Sequence, residues 1–364
     1  MPLPTDHHLT WARIEPARHR HNLAPSEVDA PDLEALGLPS RAPLPRSADG
    51  LQAELERVLG ARWSAPGGRV AVTAGGSEAN AIVFGALLEP RDEVLVETPG
   101  YEPHREAPRL FDVSVRRFER PVSSGVAAAV DAALGSATRM VVVTHLHNPS
   151  GAALSGADAR ALGDLAERRG LWILCDEIFR DALDEPRGTF AALGPRWVAT
   201  SSLTKVYGLG GLRLGWIAGS DDVLSRCARV QNALSASPSV PSIALALALA
   251  PHLDTLRART HRILAANHAR WAAWLHDDLP FTSPARPLGT TAWAVFPSED
   301  GGDAFAAFAS RHADLAVTPG RFFADPRGFR VALGREPEHF APALDTLRHA
   351  LAAFVAGEPI REAP

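Results

Sequence analysis

The chain reads as an α/β protein, with a mostly parallel central sheet covered by helices and a smaller α+β unit after it. Three observations predict this. Short apolar runs recur through the middle of the chain (Val94–Glu97, Met140–Thr144, Leu171–Cys175, Trp197–Ser201). A strand that is apolar on successive residues, not on alternate ones, is buried on both faces. Segments with helical periodicity lie between these runs, as crossover connections require. The 364 residues exceed what one core usually holds. The expected division is a large domain over 46–245, with the arm 1–45 and residues 246–364 forming the smaller part.

The elements follow in order. Residues 1–45 are rich in Pro, His and Arg and read as an irregular arm with one short helix. Gly50–Gly60 is an amphipathic helix with Leu51, Leu55, Val58 and Leu59 on one side. Arg69–Val72 is a strand, followed by a Gly-Gly turn and a helix over Ser77–Leu88 in which Ile82, Val83, Ala86 and Leu87 share a face. Ser155 caps a helix over Ala157–Arg169, with Asp158 as its capping partner and Gly170 as the stop. Ser235–Ser242 reads as a Ser/Pro loop and Leu253–Leu275 as a long helix. The small unit covers 280–356 and ends in a helix over Ala341–Val355.

Composition narrows the function classes. The chain is 46% apolar and 22% charged, ordinary for a globular protein, and its net charge of −5 gives no reason to expect nucleic acid or an anionic membrane as partner. Its longest apolar run, Ile243–Ala250, is far short of a membrane span. The opening residues lack the basic and apolar regions of a signal peptide. Two cysteines, Cys175 and Cys227, show no metal-ligand spacing and make no disulfide framework, so a reducing cytoplasm is the expected compartment.

One number stands apart. Lys205 is the sole lysine, and the other 36 basic residues are arginine. Arginine replaces lysine in solvation and in most ion pairs. It does not form an imine with an aldehyde, because its guanidinium stays protonated. A single retained lysine therefore marks lysine-specific chemistry, unless codon bias alone removed the others.

In open α/β sheets ligands bind beyond the carboxyl ends of the strands, and the suggestive residues lie there. Gly75, Gly76 and Ser77 follow the first strand and open a helix. That place suits a phosphate, or is a plain tight turn. Asn148 follows the strand 140–144 and is an amide donor or a turn residue before Pro149. Asp176 ends the strand 171–175 and is a cap or the partner of a buried cation. Ser202 and Lys205 follow the strand 197–201, with Arg213 eight residues after the lysine. Gly208–Gly215 is not a dinucleotide fingerprint, because Arg213 stands at the third glycine's place.

These segments resemble the class I/II aminotransferases of the pyridoxal 5′-phosphate (PLP) fold type I. SSLTK with Arg213 resembles that family's cofactor-lysine motif, HNPSG its N-P-T-G element, and CDEIFRD its D-E-x-Y element; the likeness runs from about Asn22 to Gly334. The resemblance implies that Lys205 carries PLP as a Schiff base and shuttles the α-proton. It implies that Asp176 keeps the pyridine nitrogen protonated, that Asn148 bonds the phenolic oxygen, and that Tyr101 stacks on the ring. Gly75, Gly76, Ser77, Ser202 and Arg213 would hold the phosphate. Arg330, in FRVALG, would grip the substrate carboxylate as a bidentate fork, or is a strand-edge arginine. Ala24 and its neighbours in the arm would line the side-chain pocket. His145 and His147 are polar groups of that pocket or strand-end surface residues. A homodimer is implied as well.

Two positions depart from the pattern. Phe179 stands where the family usually has a tyrosine that bonds the phenolic oxygen, and a phenyl ring cannot donate. The loss of that donor is expected to make the Schiff-base proton harder to remove. Leu44-Pro45-Arg46 holds no tyrosine where the family usually offers one across the dimer to the phosphate, with Arg46 as the available substitute. The expected activity is transfer of an amino group from an L-amino acid to a 2-oxo acid. The same residues also serve other PLP chemistry: C–S lyase β-elimination, decarboxylation or oxidative tailoring. Gly289-Thr290-Thr291 and Thr318-Pro319-Gly320 resemble a subset whose members include such departures.

Overall fold

A computed structural model describes residues 7–42, 50–184, 188–275 and 279–357. Seven strands form the central sheet: β1 (Ala71–Thr73), β2 (Glu93–Thr98), β3 (Ser114–Glu119), β4 (Thr138–Thr144), β5 (Trp172–Asp176), β6 (Trp197–Ser202) and β7 (Gly215–Ala218). Their order across the sheet is β1-β7-β6-β5-β4-β2-β3. All neighbours are parallel except those of β7, which runs antiparallel to both β1 and β6.

The strands are apolar throughout because each face has its own cover. In β4, Met140 and Val142 join the core beneath the helices Gly76–Leu87 and Asp221–Leu234, while Val141 and Val143 join the core beneath Val126–Ala133 and Gly156–Arg169. Leu174 and Ile173 divide in the same way on β5, as alternating side chains must. Beyond residue 290, β8 (Thr291–Val295), β9 (Thr318–Pro319) and β10 (Gly328–Ala332) form an antiparallel sheet in the order β9-β10-β8. The helix Leu253–Trp274 precedes it and Pro337–Ala356 follows it.

The expected elements are present, with differences that have physical causes. Within the arm the helix is His8–Ile14, and the two-residue strand His21–Asn22 pairs with Leu315–Ala316. The Ser/Pro loop ends earlier than expected. Val240–Leu249 is helical, with Pro241 in the first turn, where its missing N–H costs nothing. The last helix starts at Pro337 for the same reason, four residues before the expected Ala341. Strand β3 escapes a reading by apolar runs because it is an edge strand, exposed along most of its length and carrying Arg116 and Arg117. Ser155 does cap its helix: its Oγ accepts the Asp158 N–H at 3.0 Å and donates to Asp158 Oδ2 at 2.8 Å. Arg46 lies outside the described residues.

Gly215 couples this sheet to the loops above it. It pairs with Thr73 on one side and Ser202 on the other. A Cβ there would stand 2.6 Å from Gly75 C, 2.8 Å from Gly76 N and 2.8 Å from Ser201 O. All three are backbone atoms, so nothing can rotate away. Gly215→Ala is expected to destabilise the protein by roughly 1–3 kcal/mol in urea unfolding. A loss below about 0.5 kcal/mol, inside the range of a neutral surface change, would show that the two loops do not depend on closing over this glycine.

Candidate active site

The carboxyl ends of the parallel strands open into a cavity of about 550 Å³, within the range of small-molecule sites. Gly76, Ser77, Tyr101, Asn148, Asp176, Phe179, Lys205, Arg213, Arg330 and Ala24 all line it. Residues from more than 300 positions of chain thus meet at the place the sequence points to. Gly75 and Ser202 are not among the lining residues. Gly75 lies directly beneath Arg213: a Cβ on it would stand 2.7 Å from the Arg213 Nη2. Ser202 Oγ accepts the Thr204 N–H at 3.1 Å and so shapes the turn that carries Lys205.

Asp176, the last residue of β5, is 4% exposed and held by three donors. Asn80 Nδ2 and His104 Nε2 each lie 3.0 Å from its Oδ2, and the Ile178 N–H lies 3.1 Å from Oδ1. Asn80 is fixed in turn, its Oδ1 accepting from Thr200 Oγ1 at 2.6 Å. A carboxylate accepts about four bonds, so one lone pair is left for a further donor. Lys205 lies three residues past the end of β6, and its Nζ is 2.7 Å from Glu27 Oε2. The ammonium holds the Glu27 carboxyl below its usual range, with a smaller contribution from Arg330.

The phosphate-binding features converge on one wall. Gly75, at φ +96°, precedes the helix Gly76–Leu87, whose first N–H groups have no intrahelical acceptor. Arg213, in a left-handed conformation at φ 49°, lies against that turn. Burial pushes the pKa of Tyr101 up to about 12, against the effect of the neighbouring Ser77 hydroxyl. Its ring meets His104 edge-on at 5.3 Å. Phe179, 3% exposed, packs into the core with its edge on the cavity.

Arg330 is 2% exposed. Its Nη1 donates to Asn148 Oδ1 at 3.0 Å, and its Nη2 donates to Ala24 O at 2.6 Å and Thr318 Oγ1 at 3.1 Å. It is therefore not a strand-edge surface residue. Its Nε–H has no partner among the described residues. Burial pulls its pKa down to about 10, which still leaves it charged at neutral pH. Because Arg330 holds the Asn148 oxygen, the amide N–H groups are free to donate. Thr290 and Thr318 donate to Ser26 O at 2.6 Å and Ala24 O at 3.0 Å, so both of the late motifs fasten the arm.

His145 and His147 are neither surface residues nor lining groups of this cavity. Both are buried, at 3% and 4% exposure, and burial drives their pKa down to about 3 and about 4. His147 bridges Ser150 Oγ (2.7 Å) and Pro99 O (2.8 Å). The groups that sequence reasoning missed are Asn80, His104, Glu27 and His8. Asn80 lies one helical turn from Gly76 and so shares its face. His104 lies three residues after Tyr101 on the short helix Glu102–Glu106. Glu27 and His8 carry no local signal, since only the tertiary course of the arm brings them to the lysine.

An aldehyde-bearing pyridine phosphate fits this set. There is an amine in the cavity, a buried carboxylate with one lone pair unspent, an amide free to donate, and an arginine against a glycine turn at a helix N-terminus.

The comparisons with known proteins agree with that geometry. Residues 50–347 match the profile of a family described as aminotransferase class I and II. The chain is 33% identical over 279 residues to a capreomycidine synthase of Streptomyces vinaceus, covering 73% of this chain and 70% of that protein. It is 28% identical over 310 residues to a probable N-succinyldiaminopimelate aminotransferase of Mycobacterium tuberculosis, covering 79% and 74%. Among solved structures, a PLP-dependent aminotransferase from Streptococcus suis superposes with a TM-score of 0.85 at 19% identity, over 97% of this chain and 99% of that one. The PLP-dependent cyclase OrfR gives 0.81 at 24%, with the same coverage.

Next to Asp176, Glu177 accepts the Phe190 N–H, and burial raises its carboxyl from 4.5 to about 7, against the pull of Arg180. The folded state thus binds this proton more tightly than the unfolded chain does. Stability should fall as pH rises from about 4.5 to about 7, and the loss should be complete above that. Glu177→Gln keeps the acceptor for Phe190 and removes the titration. It is expected to be more stable than the wild type at pH 8, by roughly 2–3 kcal/mol, with the difference shrinking toward pH 4. Parallel pH profiles of the urea midpoints for the two proteins would assign the titration to another group.

Proposed function

We propose, for a chain that belongs to the aminotransferase class I and II family, that it moves an amino group from an L-amino acid to a 2-oxo acid with Lys205 as the covalent and proton-transferring residue. The chain has PLP fold type I and is an enzyme of a PLP-dependent family. The observation that carries the reading is the place of its only lysine: Lys205 Nζ lies in the cavity that Asp176, Arg213 and Arg330 also line.

PLP, when bound, supplies the electron sink into which the bonds at the substrate α-carbon are broken. The chain's residues do the rest. Lys205 would hold the cofactor through a Schiff base. Gly76, Ser77 and Arg213 would take its phosphate, with Gly75 leaving room for the arginine. Asp176 would accept the ring N–H, and the Asn80–His104 pair keeps its carboxylate oriented toward that donor. Asn148 would donate to the ring's phenolic oxygen, where Phe179 offers nothing. Arg330 would grip the α-carboxylate and so set which α-carbon bond faces the ring. Lys205 Nζ would take and return the proton of the substrate α-carbon. Phe179 and Tyr101, which line the cavity, would shield the cofactor from water. The homodimer that the resemblance implies belongs to the same reading.

A second reading rests on the capreomycidine synthase match: the same apparatus would serve a reaction other than amino transfer, such as ring closure or elimination.

The test is to load the purified protein with PLP and add L-amino acids singly, without any oxo acid. Loss of the visible band of the lysine-bound cofactor, with conversion to its amine form and release of one equivalent of oxo acid, is the expected result. Repeated turnover with the band retained would favour the second reading. Lys205→Ala and Lys205→Arg are both expected to lack the visible band. A band that survives in Lys205→Arg would exclude the lysine as the attachment point.

A further inference from the structure

Two charged groups of the cavity, Glu27 and Arg13, have no role in the proposed reaction. Its lining cations are Arg13, Lys205, Arg213 and Arg330, and its lining anions are Glu27 and Asp176. On the reading above, Arg213 meets the phosphate, Asp176 the ring nitrogen and Arg330 the substrate carboxylate. Among the described residues Glu27 is ion-paired only with Lys205 Nζ, at 2.7 Å. An amine committed to a Schiff base carries at most one proton where the free ammonium carries three, so loading the cofactor takes this partner away. Glu27 then faces an incoming substrate as a carboxylate lining the cavity, before the lysine is displaced.

A second observation comes from the arm. His8 is 4% exposed, lines the same cavity and has no partner on either ring nitrogen among the described residues. Its ring packs against Phe322 at 5.1 Å and meets Tyr101 edge-on at 6.2 Å. Its backbone N–H is fixed to Glu102 Oε2 at 2.8 Å. Burial, helped by Arg330 and Lys205, keeps the imidazole well below its usual pKa. A neutral imidazole offers one acceptor nitrogen, and a buried one without a partner is costly. A polar group of this kind in a cavity is satisfied by water or by a ligand.

We infer that the donor amino acid carries a cationic, N–H-rich side chain, with Glu27 as its counter-ion and His8 as a neutral acceptor beside it. The inference rests on the proposed role of Lys205, since Glu27 is released only if that lysine takes the cofactor. Both groups come from the arm, so selectivity would be supplied by a part of the chain that contributes little to the cofactor site. Arg13, exposed on the arm helix, is the opposing feature. A donor chosen by Arg13 would carry a side-chain carboxylate instead.

The test uses pairs of equal shape and different charge on the PLP-loaded protein: L-arginine against L-citrulline, and L-lysine against L-2-aminoheptanoic acid, with L-glutamate as the acidic probe. Dissociation constants are read from the change in the cofactor's absorbance at equilibrium, not from turnover. Each cation is expected to bind at least about tenfold more tightly than its neutral partner, as for a hydrogen bond to a charged group. Glu27→Gln should bring that ratio close to one, and Glu27→Asp should retain part of it. Equal affinities within each pair in the wild type would overturn the inference, with or without the variants. Tighter binding of L-glutamate would also overturn it, in favour of Arg13. A ratio that survives in Glu27→Gln while the visible band titrates at a new pH would make Glu27 the counter-ion of Lys205 alone, and would overturn it too. In these cases amino acids still perturb the cofactor band and the role of Lys205 stands; absence of any band would instead remove the reading of Lys205 itself.

Discussion

The cavity depends on one buried guanidinium. Arg330 lies on β10 of the small sheet, yet its bonds reach the arm at Ala24, the loop after β4 at Asn148, and β9 at Thr318. The arm, the loop after β4 and the paired strands β9 and β10 are thereby held at fixed separation. Burying a guanidinium is expensive, and here the expense is offset by charge-assisted bonds and by the Phe323 ring 5.1 Å from its centre. Removing the side chain would leave the Asn148 amide oxygen without its donor, and the Ala24 carbonyl with only the Thr318 hydroxyl. The cation that would receive the substrate is therefore also the cation that assembles the site.

The sheet contributes the complementary half. Its parallel strands deliver Asp176 from β5 and Lys205 from the loop after β6, while the turn after β1 delivers Gly75 and Gly76. These would be distant neighbours in a simple parallel order. The antiparallel β7 fills the space between β1 and β6, and its glycine at 215 lets the two loops close above it. Neither loop is a binding site alone, and their juxtaposition is a property of strand order.

How much of this was legible before any coordinates depended on the range of each interaction. Strands β4, β5 and β6 announced themselves because burial on both faces demands apolar residues in succession. Ser155 announced its helix because a cap is a local hydrogen bond. Lys205 stood out through its solitude among arginines, which no propensity explains. Edge strand β3 was hidden because solvent on it permits Arg116 and Arg117. Pro241 and Pro337 misled because a proline reads as a break, although it is tolerated in a helix's first turn. Of the site, the residues at strand ends were legible through the rule that places ligands there. Glu27 and His8 were not, because their meeting with the lysine depends on the packing of an arm whose own sequence has no periodicity. His145 and His147 stand at a strand end, yet the chain turns them inward, toward Ser150, Pro99 and Leu154.

The solitary lysine has a consequence outside the reaction. Its side chain is 23% exposed, within a cavity. The surface elsewhere displays guanidinium groups and carboxylates but no lysine amine. Reagents that acylate or reductively alkylate amines would therefore find a single side-chain address on this molecule, and that address is the cavity. Immobilisation or cross-linking through lysine, harmless for most proteins, would here act as site-directed inactivation. A cofactor already attached to that nitrogen would act as its protecting group.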